Sequence, residues 1–295
     1  MHQSNIKNAQ LLHQGKVRDI YKHGENLLII ATDRISAFDY VMHETIPDKG
    51  IILNRLSTFW FNMLQNDIEN HLITTKFDEL PEELRGETSL KGRFMYVKNA
   101  QPLKVEAIVR GYITGSGWKS YQKDNTICGL KLPAGINESE KFPEPLYTPS
   151  TKADMGDHDE NIDFEETCKI LGRDIAEEVA EKSIALYKKA CDFAETKGLI
   201  LADTKLEFGI VDGKVILIDE CFTPDSSRYW KMSDYEPGKP QNPYDKQVVR
   251  NYLLSTDWDR NSTPPHLPEA IINEARDRYL EVFEILTGSR DLDKD

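Results

Sequence analysis

The chain is short of cysteine, of long apolar runs and of positive charge, and each deficit removes a class of protein. Its four cysteines, Cys128, Cys168, Cys191 and Cys221, are scattered with no C-x-x-C pair. That is neither a disulfide framework nor a zinc site, and reduced thiols are expected. No apolar stretch approaches the roughly 20 residues needed to span a bilayer. The start, MHQSNIKNAQ, lacks the basic residues and apolar core of a secretory signal, so a cytoplasmic location is expected. A net charge of −13 argues against non-specific nucleic-acid binding, and any anionic ligand then needs dedicated Arg and Lys. Hydrophobic content of 39% and charged content of 29% over 295 residues describe a folded globular chain able to bury a sizeable core, most simply as two closely associated lobes.

What is present centres on LADTKLEFGIVDGKVILIDECFTPDSSRYW, residues 201–230. Period-two alternation puts Asp203, Lys205 and Glu207 on one face of a strand and Ala202, Thr204, Leu206 and Phe208 on the other. Asp212-Gly213 signals a turn, with Val215 to Glu220 returning as the partner. A two- or four-residue loop would pair Glu207 with Ile218. A three-residue loop with a glycine bulge would pair Glu207 with Asp219, so that two carboxylates bracket a hard cation. The second register is the one expected, because adjacent carboxylates repel unless a cation such as Mg²⁺ lies between them. A solvated strand face is the plain alternative; the apolar runs on either side weigh against it.

Elsewhere, Gly15 to Tyr21 alternates like a strand on which Lys16 and Arg18 share a face that could drape over phosphates. Thr32 to Asp39 reads as a short polar loop at a strand end, and residues 50–66 as an amphipathic helix with Trp60 in the core. A strand from Arg93 to Val97 runs into Lys98 to Pro102, which resembles a linker between lobes. Val105 to Arg110 is an apolar strand opening into a loop, Gly111 to Trp118; a guanidinium followed by Gly and Ser suits a phosphate monoester. Residues 124–160 read as a long polar loop containing His158, which a structural role explains better than a metal-binding or catalytic one. Phe164 to Lys197 is a helix capped at Gly198, and helices around Tyr244 to Ser255 and Pro268 to Thr287 close the chain.

In that order, GKVRDIY, TDRISAFD, VEAIVRGYITGSGW, TPSTKADMGDHDENI, LADTKLEFG and IDECFTPDSSRYW resemble the SAICAR synthetases of purine biosynthesis over nearly the whole chain, in the longer form of that family. The resemblance implies an α+β fold that is two-lobed and ATP-grasp-like, with antiparallel sheets, flanking helices and the active site in the cleft between lobes. Residues 1–102 would form the nucleotide-covering lobe and 103–295 the larger lobe. It implies a ligase joining L-aspartate to the carboxylate of carboxyaminoimidazole ribonucleotide through an acyl phosphate, with ATP and Mg²⁺ required and a monomer favoured.

Carried over by residue, Gly15, Lys16, Val17, Arg18, Lys98, Ala100, Glu207 and Asp219 would bind ATP, with Glu207 and Asp219 holding the metal. Arg110, Ser116 and Arg228 would take the 5′-phosphate. Lys205 would stabilise charge on the acyl phosphate, and Asp203 would orient the aminoimidazole or accept a proton. Arg34, Ser36 and Lys152 are the candidates for aspartate. The rivals are a kinase with a similar cleft, which would form ADP without aspartate, and a silent nucleotide-binding scaffold, which would lack part of this charged set.

Overall fold

In the computed structural model, residues 1–152, 160–244 and 246–292 are described. The described residues build two large antiparallel sheets and two two-stranded ones. Strands β1 (Gln10–Gln14), β2 (Arg18–His23) and β3 (Asn26–Ala31) start the first. β4 (Arg34–Ala37) and β5 (Tyr40–Thr45) form a separate hairpin, and helix α1 (Lys49–Met63) follows. β6 (Leu72–Thr74) and β7 (Phe94–Lys98) complete the first sheet in the order β1-β2-β3-β7-β6. Alternation in β3 buries Ile29 on one face, and Leu28 and Ile30 on the other.

The chain crosses to the second sheet through β8 (Gln101–Pro102) and β9 (Val105–Tyr112). Helix α2 (Gly115–Asp124), the short strands β10 (Thr126–Ile127) and β11 (Leu130–Lys131), then β12 (Lys141–Tyr147) and β13 (Ser150–Thr151) come next. Helices α3 (Phe164–Leu171) and α4 (Arg173–Thr196) precede the central strand β14 (Leu199–Val211), β15 (Lys214–Ile218) and β16 (Ser227–Lys231). Helices α5 (Gln247–Leu254) and α6 (Glu269–Thr287) end the fold. β14 is long enough to pair with β9 and β8 along its length, and with β16 and then β15.

One apolar core runs between the sheets, with Trp60 of α1, Leu186 of α4, Phe208 of β14 and Val282 of α6 in the same cluster. Trp60 is wholly buried against Phe193 and Phe222, as its helical spacing predicts.

Five local expectations are corrected. Gly15 to Val17 is a turn, closed by Gly15 N–H donating to Arg18 O at 2.7 Å, so the strand begins only at Arg18. Thr32 to Asp39 contains a strand, because Ser36 and Ala37 pair with Val41 and Tyr40. The Gly111 to Trp118 loop is instead the end of β9 and the first turn of α2, and four short strands occupy much of residues 124–152. The helix predicted from Phe164 to Lys197 breaks at Gly172, whose φ of 85° no helix accommodates. His158 lies outside the described residues.

Candidate active site

The expected glycine bulge is absent. Asp212 and Gly213 both have positive φ, 51° and 77°, and form a two-residue turn that pairs Val211 with Lys214 and Glu207 with Ile218. The twist of such a turn matches that of the strands, so the hairpin closes without an extra residue. The carboxylates approach by another route: Asp219, just past the end of β15, sits at φ 66° and leaves the strand direction. Burial pushes the Asp219 carboxyl up, to about 6; Arg18 opposes the shift, and Glu207 and Glu220 add to it.

Arg18 does not share a strand face with Lys16. Its guanidinium points inward, 2.7 Å from Asp219 and 3.0 Å from Glu220, whereas Lys16 lies on the exposed turn and pairs with Asp39 at 2.5 Å. Thr223 Oγ1 donates to Glu220 at 2.5 Å. Buried His71 lies against the backbone of Asp219; burial, with Arg18 nearby, pulls the imidazole down to about 3, so it is neutral.

Lys205 is clasped by two carboxylates, Glu106 at 2.6 Å and Glu207 at 2.9 Å. Burial alone would lower the ammonium, yet Glu207 and then Glu106 hold it well above its ordinary range. Burial likewise opposes ionisation of Glu207, but Lys205 and Lys152 together keep its carboxyl far below the usual range. Lys152 contacts the other oxygen of Glu207, which sets it beside the nucleotide-and-metal group named above. Glu106 escaped notice in the sequence; its period-two spacing from Arg110 was the available signal.

The second group forms because Asp203 has Arg110 as its neighbour on β9 and Arg228 as its neighbour on β16. Three side chains in one row across a sheet share a face. Arg110 Nη1 donates to Asp203 at 3.0 Å, Nε to Thr148 at 3.0 Å and Nη2 to Ser116 at 3.0 Å; Arg228 also pairs with Asp203. Asp203 is thus engaged by two guanidiniums. Gly115 opens α2 at φ 57°, which favours glycine, and a Cβ there would lie 2.6 Å from Arg228 Nη2, so a larger residue would displace the guanidinium. Helix N-terminus, two arginines and a serine enclose a cavity of about 220 Å³, to which Lys205, Lys246 and Arg250 also contribute.

That cavity adjoins a cleft of about 1000 Å³ lined by Lys16, Val17, Ser36, Lys205, Glu220 and Arg228 among others. Lys246 and Arg250, missed in the sequence, line both spaces from the start of α5. Ser36 is at the cleft wall, but Arg34 is not available to a ligand. Unlike Arg110 it lines neither space, and its nitrogens bond Asp19 at 2.6 Å, Gly15 O at 2.9 Å, His2 O at 2.7 Å and Lys16 O at 3.2 Å. Arg34 shapes the Gly15 to Arg18 turn instead of binding aspartate. Lys98 ends β7, and Ala100 packs with Ile216 and Ile218 where the chain crosses between sheets.

Beneath the cleft, fully buried Lys49 pairs with Asp225 at 2.6 Å, and Tyr279 donates to the other oxygen at 2.6 Å. Lys49→Met is expected to cost about 3 kcal/mol of stability, because it takes from the buried Asp225 carboxylate its main cation and leaves only Tyr279 and Lys246 to hold it. Urea unfolding checks this: an unchanged midpoint would refute it, and K49M/D225N, lacking both charges, should recover most of the loss.

The SAICAR synthetase family model matches residues 11–265. A phosphoribosylaminoimidazole-succinocarboxamide synthase of Thermodesulfovibrio yellowstonii is 56% identical over 287 residues, covering 97% of this chain and 98% of that protein. The solved SAICAR synthase of Saccharomyces cerevisiae, complexed with SAICAR, superposes with a TM-score of 0.87 at 45% identity over 95% of both chains. A SAICAR synthetase solved with ADP superposes at 0.69, with 25% identity, over 95% of this chain and 98% of the other.

Proposed function

The chain belongs to the SAICAR synthetase family, and we propose the following division of labour among its residues for the ligation that defines it. The enzyme is an ATP-dependent carbon–nitrogen ligase of purine biosynthesis. It joins the amine of L-aspartate to the carboxylate of carboxyaminoimidazole ribonucleotide, giving the succinocarboxamide ribonucleotide, ADP and phosphate. A carboxylate resists attack by an amine, so its oxygen first takes the γ-phosphoryl group of ATP. The aspartate amine then adds to that acyl phosphate, and phosphate leaves as the amide forms.

The fold is read as two ATP-grasp-like lobes, residues 1–102 and 103–295, with ATP between them. The Gly15 to Arg18 turn covers the polyphosphate, Lys16 and Val17 line the cleft below it, and the Lys98 to Ala100 crossing meets adenine. Mg²⁺ fits the acidic end: Glu207, Asp219 and Glu220 are hard oxygen donors, and burial, with Glu207 and Glu220 nearby, raises the Asp219 carboxyl, a cost that a bound cation would relieve. Among the described residues no three His, Cys, Asp or Glu side chains are grouped as a complete metal site. Two protein carboxylates with nucleotide oxygens and water suit Mg²⁺ better than an all-protein cage. Glu207 and Asp219 would hold the ion, which supplies charge neutralisation at the transferring phosphoryl group.

The ribonucleotide's 5′-phosphate goes to Arg110, Ser116, Arg228 and the α2 N-terminus, with Asp203 aligning the two guanidiniums. Lys205 lies toward the reacting carboxylate, and Ser36 is assigned to L-aspartate. The row Arg110–Asp203–Arg228 carries this reading, since two guanidiniums whose forks suit a phosphate flank Asp203, two residues from Lys205 on the same strand. A coupled assay of ADP release with the carboxylated ribonucleotide should show turnover only when L-aspartate is added. Equal release without aspartate would mean a kinase, and no release with both would remove the assignment.

A further inference from the structure

The turn joining β4 to β5 is built from residues that resist its geometry. Phe38 and Asp39 both have positive φ, 52° and 67°, and together they link Ala37 to its partner Tyr40. Turns of this kind ordinarily use Asn or Asp followed by Gly, because a Cβ in the left-handed region clashes with its own backbone. A phenylalanine there costs on the order of 1 kcal/mol. The strain persists only if something outside the hairpin opposes it.

That support comes from residues 256–267, between α5 and α6. The Trp258 ring lies 5.3 Å from Tyr40 and 6.3 Å from Phe38, and the Arg260 guanidinium stands over the Phe38 ring at 4.9 Å. Trp258 Nε1 donates to Ser262 O at 2.9 Å, which fixes the indole within its own segment. The far end is fastened to the same hairpin: Glu44 accepts from Leu267 N–H at 3.0 Å, with His266 Nδ1 2.5 Å from its other oxygen, and His266 stacks on His43. A strap thus crosses the outside of the β4–β5 hairpin and holds it at both ends.

The other side of the hairpin faces the large cleft. Ser36, Phe38 and Asp39 line it together with Lys16, and the Lys16–Asp39 ion pair joins the strained turn to the Gly15 to Arg18 turn across the cleft mouth. We propose that Trp258 and Arg260 are positioning residues of the ligase, which keep the Phe38–Asp39 turn in its strained form and so set Ser36 and Asp39 at the mouth where L-aspartate enters. The proposal rests on the assignment of Ser36 to aspartate. Neither residue touches substrate; their effect passes through the turn.

The test is steady-state kinetics on Trp258→Ala, Arg260→Ala, Phe38→Gly and Ser36→Ala, with melting temperatures measured alongside. Trp258→Ala and Arg260→Ala should raise the KM for L-aspartate about tenfold, the loss of roughly one aromatic or cation–π contact's worth of alignment. ATP KM and kcat should stay within about twofold of wild type. Trp258→Phe, which keeps an aromatic face, should restore the aspartate KM. Phe38→Gly separates positioning from stability: it relieves the strain, so Tm should hold or rise, while the aspartate KM still increases. An aspartate KM raised in Ser36→Ala but unchanged in Trp258→Ala and Phe38→Gly overturns the strap. So does an activity loss that tracks Tm across all variants. If Ser36→Ala itself leaves the aspartate KM unchanged, the assignment of Ser36 fails, and a raised KM in Trp258→Ala then places the strap's effect on Asp39.

Discussion

Lys205→Met is expected to lower kcat about 1000-fold, the usual scale for removing a preorganised charge from a transition state. The reaction passes a phosphoryl group between two anions, and the Lys205 ammonium sits on the central strand one alternation step from Asp203 on one side and from Glu207 on the other. It is bound by Glu106 and Glu207 at 2.6 and 2.9 Å, so its position is set before substrate arrives. The same contacts complicate the variant, since a methionine would leave two neighbouring carboxylates without their shared cation. K205M/E106Q restores the charge balance and should recover thermal stability but not turnover. If turnover returns in the double variant, Lys205 is a structural counter-ion and the catalytic reading is lost.

Arg110→Met should raise the KM for the carboxylated ribonucleotide by about 100-fold, reflecting one or two charge-assisted hydrogen bonds to phosphate. The KM for ATP should be little changed, because Arg110 belongs to the row with Asp203 and Arg228 and not to the group around Glu207 and Asp219. Arg110→Lys should recover little of the loss: its single ammonium cannot bond Thr148, Asp203 and Ser116 at once as the guanidinium does. An unchanged ribonucleotide KM in Arg110→Met would move the phosphate site elsewhere. Increases in both KM values would show that the two groups are not separable.

Much of this site was legible residue by residue. The alternation Asp203, Lys205, Glu207 and the arginine ending an apolar run at Arg110 are local signals, and the structure gives those side chains a common face. Where the sequence misled, a local conformation had competing solutions. Asp212-Gly213 suits a two-residue turn as well as a bulge, and the left-handed Asp219 that brings the acids together has no glycine to announce it. Arg34 follows a buried strand as many ligand-binding residues do, yet Asp19 on β2 takes its guanidinium.

The sequence by itself determined which residues could do chemistry, where most strands alternate, that an anionic ligand would need dedicated Arg and Lys in a chain of net charge −13, and which family the motifs resemble. Only the tertiary structure decided which charges meet. Lys152 with Glu207, Lys205 with Glu106 and Lys49 with Asp225 are separated by 55, 99 and 176 residues, as are the strap residues Trp258 and Arg260 from Phe38 by more than two hundred. The physical reason is that periodicity and turn chemistry act over a few residues, whereas a buried charge selects its partner from whatever the stacked sheets and helices bring within about 3 Å.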